Sequence, residues 1–111
     1  MDPTVIVVNG AEWDLVNSDA FESLLRPAYE SKAPIIDLSE VRYLDSSCLT
    51  KIAHMQKERS AQRLLPASFV ISSPSLSRLF SIVGYDRRWP VFDNVDAAVA
   101  ANGDDSGASG A

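Results

Sequence analysis

Cysteine and histidine each occur only once in this 111-residue sequence, as Cys48 and His54. A single cysteine cannot form an internal disulfide, so the core alone must stabilise the fold, and a reducing compartment is favoured. One cysteine and one histidine are too few for a structural zinc site. The sequence also contains no glycine-rich phosphate loop and no Ser–His–Asp arrangement with usable spacing. We therefore expect neither a cofactor nor an enzymatic activity.

Positive charge and long apolar runs are scarce as well. The chain has 10 Lys and Arg residues against 15 Asp and Glu residues, which gives a formal net charge of -5. Because nucleic acids are bound through dense basic surfaces, we expect no nucleic-acid partner. The apolar runs are far shorter than a membrane span, and no basic segment precedes an apolar one at the start of the chain. We expect a soluble cytoplasmic protein with no membrane partner.

Strand-like and helix-like segments alternate along the chain, whose hydrophobic fraction of 46% is sufficient for one packed domain. Short apolar or β-branched segments predict strands at residues 5–8, 34–38, 69–71 and 89–92. Helical spacing of apolar residues predicts helices with caps at Ser18, Asp45, Ser73 and Asp93. Pro27 is expected to kink or end the first of them. This order predicts an α/β fold with a mixed, mostly parallel sheet of about four strands and about four helices.

The composition changes at residue 102, after which Gly, Ser, Ala and Asp dominate. Such a segment buries too little apolar area to offset the entropy lost on ordering. We predict one folded domain over residues 1–101 and a disordered C-terminal tail over residues 102–111.

The sequence Asp45-Ser46-Ser47-Cys48 lies where a buried strand gives way to a long helix, a place where α/β proteins collect functional residues. Asp45 is suited to cap this helix by accepting hydrogen bonds from backbone N–H groups. These groups and the helix dipole favour negative charge by about 0.3–1 kcal/mol. A phosphate on Ser46 is therefore compatible with the helix, while it changes what can dock there. The alternative interpretation is a plain helix cap.

This region resembles the central motif of STAS domains, in particular that of bacterial anti-sigma factor antagonists. The resemblance rests on an apolar strand ending in Asp37-Leu38, then a short loop, then Asp45-Ser46-Ser47 and Leu49. Further segments of the family are similar to Gly10-Ala11-Glu12-Trp13-Asp14, to residues 73–84 and to residues 92–98. The resemblance thus covers most of the chain and implies a STAS-like single domain.

In that family the first serine after the aspartate accepts a phosphate, which implies Ser46 here, with Ser47 as the alternative. The implied partner-binding residues are Asp14, Asp45, Ser46, Ser47 and Cys48. The implied mechanism is partner switching, in which an anti-sigma factor that is also a serine kinase binds the unmodified protein. Phosphorylation releases the kinase, and a PP2C-like phosphatase restores binding. Formation of a homodimer stays open.

Cys48 occupies a position where the family has glycine, and we expect it to make the partner-facing surface bulkier. Ala11 replaces a second glycine. One alternative function is a STAS-type interaction subunit of a transporter or stressosome-like assembly without phosphate cycling. A small enzyme using Ser46 or Cys48 is less favoured, because the single histidine, His54, does not share a helix face with Cys48.

Overall fold

Four short strands form the central sheet in the computed structural model, which describes residues 3–108 and the side chains of residues 3–102. Across the sheet the order is β1 (Thr4–Val7), β3 (Pro34–Asp37), β5 (Ser68–Val70) and β6 (Val91–Phe92). Every neighbouring pair is parallel, so each connection must cross the sheet. The predicted α/β fold with a four-stranded, mostly parallel sheet is confirmed.

Five α-helices lie within the described residues, where about four were expected. They are α1 (Ser18–Leu25), α2 (Ser46–Ala61), α3 (Pro74–Val83), α4 (Tyr85–Arg88) and α5 (Val95–Ala108). The first three contribute to the main core on one face of the sheet, where Phe21, Ile52 and Phe80 are fully buried. On the opposite face, Ala98 of α5 packs with Ile35. None of the helices in this part of the chain combines the length and apolarity needed to cross a membrane.

Both ends of α3 agree with the sequence prediction. The Ser73 hydroxyl accepts a hydrogen bond from the Leu76 N–H at 3.4 Å, and Pro74 is the first helical residue. The helix ends at Gly84, whose φ of 84° lies in the left-handed region. Glycine adopts this conformation without the steric cost that a Cβ atom imposes.

Two other predicted caps are wrong by one residue. The N-cap of α1 is Asn17, and Ser18 is buried within the first helical turn. At the start of α5, the side-chain oxygen of Asn94 rather than that of Asp93 accepts a backbone N–H at 2.8 Å. In both cases two good capping residues are adjacent in the sequence, so propensity alone does not choose between them.

Pro27 ends the first helix, as its position predicts. Helix α1 stops at Leu25, and the chain continues as a 3-10 turn over Arg26–Tyr29 with the proline at its start. A proline is accepted there because the first residues of a helical turn need no backbone N–H.

Helix α5 continues past the predicted domain boundary. It reaches Ala108, and the amide of Asn102 donates to the Ser68 hydroxyl at 3.3 Å. Residues 109–111 of the predicted tail lie outside the described residues. The division into a domain over residues 1–101 and a disordered tail therefore stays a prediction.

Arg59 of α2 lies inside the fold rather than on the polar face of its helix. Its side chain is fully buried, and its guanidinium donates to the backbone carbonyls of Ala28, Ser31, Lys32 and Leu65. A buried cation costs several kcal/mol unless its donors are satisfied, and these carbonyls supply that satisfaction. Burial also lowers the pKa of Arg59. The guanidinium thus links α2 by hydrogen bonds to the segments that precede β3 and β5.

We expect Arg59→Met to lower the free energy of unfolding by about 3 kcal/mol, because each buried carbonyl left unpaired costs roughly 1–3 kcal/mol before relaxation. Arg59→Lys retains the charge but loses the planar fork of donors, so it should be destabilised as well. Urea unfolding at pH 7 measures both variants, with the exposed Arg78→Met as the matched control. A loss below about 0.5 kcal/mol in Arg59→Met, the range of ordinary surface substitutions, would contradict this account.

Candidate functional site

A second, two-stranded sheet brings together the two segments that the sequence singled out. Its strands are β2 (Glu12–Trp13) and β4 (Tyr43–Leu44), which run parallel. One residue beyond this pairing, the backbone N–H of Asp45 donates to the carbonyl of Trp13 at 3.0 Å. The loop that carries Asp14 is therefore fixed beside the amino end of α2.

Asp45 closes the amino end of α2, as predicted. One oxygen of its carboxylate accepts hydrogen bonds from the backbone N–H groups of Ser47 at 3.0 Å and Cys48 at 3.2 Å. The same oxygen accepts from the Ser47 hydroxyl. The Ser47 hydroxyl is the largest contribution that holds the pKa of Asp45 below its usual value, followed by backbone N–H groups that include that of Leu15. The cap is therefore ionised at neutral pH.

The two serines of the motif have different surroundings. Ser46 is the first residue of α2 and is exposed, and its hydroxyl takes no part in the hydrogen bonds that fix the cap among the described residues. Ser47 is half-buried, and its hydroxyl is committed to the Asp45 carboxylate. Ser46 thus offers the more accessible hydroxyl, which is the arrangement a phosphate acceptor requires.

Asp14 has a structural task within its own loop. Its carboxylate accepts from the Val16 N–H at 2.9 Å, and its backbone N–H donates to the side-chain oxygen of Asn17 at 2.7 Å. This reciprocal pair is a capping box for the 3-10 turn over Leu15–Asn17. The Asp14 side chain is exposed, so its predicted contact with a partner stays a prediction compatible with this role.

Cys48 lies beneath the site and not on its surface. Its side chain is fully buried, and its sulfur lies 3.9 Å from the backbone carbonyl oxygen of Asp14. The expectation that Cys48 makes the outer surface bulkier is therefore wrong, because the thiol points into the packing between α2 and the Asp14 loop. Burial is the main reason that the pKa of Cys48 is raised, although the thiol lies in the first turn of a helix.

Two exposed apolar side chains beside the site were not singled out by the sequence pattern. Leu15 is 73% exposed and Val16 is 94% exposed. They belong to the 3-10 turn over Leu15–Asn17 that Asp14 and Asn17 cap. The available signal was the spacing of two capping residues three positions apart, which is typical of a capped helical turn.

The chain matches one family of known proteins over most of its length. Residues 2–98 match the family model of the STAS domain. No curated protein matches the chain by sequence. The STAS match covers both the Asp14 loop and the amino end of α2.

Several solved structures share the fold, among them the following three. An anti-sigma factor antagonist from Mycobacterium paratuberculosis is 27% identical, with a TM-score of 0.75 over 91% of this chain and 86% of that one. A sulfate transporter family protein from Wolinella succinogenes is 18% identical, with a TM-score of 0.70 over 90% of this chain and 84% of that one. The anti-sigma factor antagonist SpoIIAA in its unphosphorylated form is 15% identical, with a TM-score of 0.61 over 86% and 84%.

We expect Asp45→Asn to destabilise the protein at neutral pH and to become nearly neutral in acid. The folded-state pKa of Asp45 is lowered, so its carboxylate contributes stability above the unfolded-state pKa of about 3.9. That contribution is lost as the pH falls through the lower pKa of the folded state. Urea midpoints of the wild type and Asp45→Asn between pH 7 and pH 2.5 measure the difference.

Asp93→Asn is the matched control, because it makes the same chemical change at an exposed aspartate away from this helix end. A difference between the wild type and Asp45→Asn that stays constant over the whole pH range would show that the charge of the cap contributes nothing.

Proposed function

This chain belongs to the STAS domain family, and from that membership we propose that it is an anti-sigma factor antagonist that works by partner switching at Ser46. The observation that carries the proposal is the exposed hydroxyl of Ser46 at the amino end of α2, directly beside the Asp45 cap. The structural likeness to an anti-sigma factor antagonist at 27% identity supports it. The unmodified protein binds an anti-sigma factor that is a serine kinase, and this binding frees a sigma factor.

The switch is an electrostatic one. Transfer of the γ-phosphoryl group of ATP to the Ser46 oxygen releases ADP and replaces a neutral hydroxyl by about 1.5 to 2 negative charges. The N–H groups and the dipole at the start of α2 favour such a charge in the free protein. A docked kinase must instead desolvate it next to a nucleotide that is itself anionic. An unpaired buried charge costs several kcal/mol, so the complex separates.

In the return step, a phosphatase of the PP2C type hydrolyses the phosphoserine and restores binding. We propose that the protein is a substrate and a binding module rather than an enzyme. The buried thiol of Cys48, whose pKa burial raises, supports this assignment.

A second candidate function is that of a STAS-type subunit in a transporter or stressosome-like assembly without phosphate cycling. The structural likeness to a sulfate transporter family protein favours it. In that case the amino end of α2 is a constant docking surface, and Ser46 is never modified. Intact-mass analysis after incubation with ATP and candidate serine kinases separates the two functions.

We expect Ser46→Ala to bind the kinase as the wild type does and Ser46→Asp to bind at least about tenfold more weakly, equivalent to about 1.4 kcal/mol. Wild type incubated with the kinase and ATP should gain the mass of one phosphate, and Ser46→Ala should gain none. Binding titrations with purified anti-sigma factor kinases of the source organism provide the measurement.

Ser47→Ala is the matched control, since its hydroxyl is held by Asp45. It should still be phosphorylated. Equal kinase affinity of Ser46→Ala and Ser46→Asp, or a phosphate that persists in Ser46→Ala, would overturn the assignment of Ser46.

A further inference from the structure

Leu15 and Val16 form the most exposed pair of adjacent apolar side chains among the described residues, at 73% and 94%. Scattered apolar residues on a surface need no explanation. These two are consecutive, however, and they lie in the loop that β2 and β4 hold against the amino end of α2. We call them the Leu15–Val16 anchor.

The anchor is held rigidly by its own turn. The Asp14 carboxylate accepts from the Val16 N–H, and the Asn17 side-chain oxygen accepts from the Asp14 N–H. The Ser18 hydroxyl donates to the Leu15 carbonyl at 3.2 Å, and the Asn17 amide donates to the Glu12 carbonyl at 3.4 Å. A surface that is ordered before binding loses less conformational entropy when a partner docks. Exposed apolar side chains on such a turn are suited to fill a pocket.

The anchor is contiguous with the proposed phosphate acceptor. The backbone N–H of Asp45 donates to the Trp13 carbonyl at 3.0 Å, and the Cys48 sulfur, in the first turn of α2, lies 3.9 Å from the Asp14 carbonyl oxygen. A partner that reaches the Ser46 hydroxyl therefore passes over the Asp14 loop as well.

The charges within the segment that carries the anchor have one sign. The segment from residue 10 to residue 20 contains the acidic residues Glu12, Asp14 and Asp19 and no lysine or arginine, and all three acidic side chains are exposed. On α2, the basic side chain of Lys51 is paired with Glu22 of α1 at 3.1 Å. An acidic rim around an apolar centre is complementary to an apolar pocket with a basic rim.

We propose that the Leu15–Val16 anchor inserts into an apolar pocket on the anti-sigma factor kinase, and that basic residues around that pocket face Glu12, Asp14 and Asp19. This inference rests on the function proposed above and adds the part of the surface that supplies affinity. Neighbouring segments thus have different tasks. The anchor supplies affinity, whereas Ser46 faces the nucleotide site of the kinase and acts as the switch when it is phosphorylated. Modification of Ser46 leaves the anchor itself unchanged.

The test compares the variant Leu15→Ser/Val16→Ser with the wild type in binding to the purified anti-sigma factor kinases of the source organism, loaded with ADP. We expect its Kd to rise at least about tenfold, mainly through faster dissociation. Leu65→Ser is the matched control, since Leu65 is 67% exposed in the loop before β5, and it should bind like the wild type. Thermal unfolding checks that the variants stay folded, as exposed substitutions should.

A second arm tests the basic rim of the pocket. Glu12→Gln/Asp19→Asn leaves the Asp14–Asn17 hydrogen bonds in place and should slow association several-fold at low salt. That difference should disappear at high salt, where surface charges are screened. Association rates that depend neither on salt nor on these two charges would overturn the proposal that basic residues surround the pocket.

The possible failures are distinguishable. If the wild type binds a kinase and Leu15→Ser/Val16→Ser binds it equally well, the anchor is overturned while the role of Ser46 stands. If no kinase binds the wild type and Ser46 gains no phosphate, the proposed function is overturned, and this inference falls with it.

Discussion

The candidate site depends on how Asp45 closes the amino end of α2. Its carboxylate accepts from two backbone N–H groups and from the Ser47 hydroxyl, and its own N–H donates to Trp13 in the neighbouring loop. One residue therefore does three things: it starts the helix, fixes the second serine, and attaches the loop that carries Asp14. The first serine is left outside these bonds, at a position where the helix favours an added negative charge.

Beneath this surface the fold is fixed by polar contacts that reach across elements. Arg59 joins α2 to two loops through backbone carbonyls, and Gln56 exchanges two hydrogen bonds with the backbone of Ala67 before β5. Tyr85 donates to the Leu49 carbonyl at 2.8 Å and so holds α4 against α2. Because α2 is secured along its whole length, a change of charge at its first residue need not propagate into the core. This is the property that a switch based on docking requires.

The sequence predicts a mostly parallel sheet of four strands, the Asp45 cap and the ends of α3, because each follows from periodicity or from a local capping residue. It places the caps of α1 and α5 one residue away, since adjacent polar residues compete for the same task. It does not predict the inward direction of Cys48 or the burial of Arg59 and Gln56, which depend on long-range packing that no local pattern encodes. The turn that carries Leu15 and Val16 has a local signal, because Asp14 and Asn17 have the spacing of a capping box.

The central claim is that the fold tolerates negative charge on Ser46 while a bound kinase does not. The most direct measurement uses the protein phosphorylated on Ser46, purified and compared with the unmodified protein in thermal unfolding and in kinase binding. The account predicts melting temperatures within about 4 °C of each other, a change in stability below about 1 kcal/mol, together with loss of binding by at least about tenfold. A phosphorylated protein that binds the kinase as tightly as the unmodified one, or that loses binding only because it has unfolded, would contradict the claim.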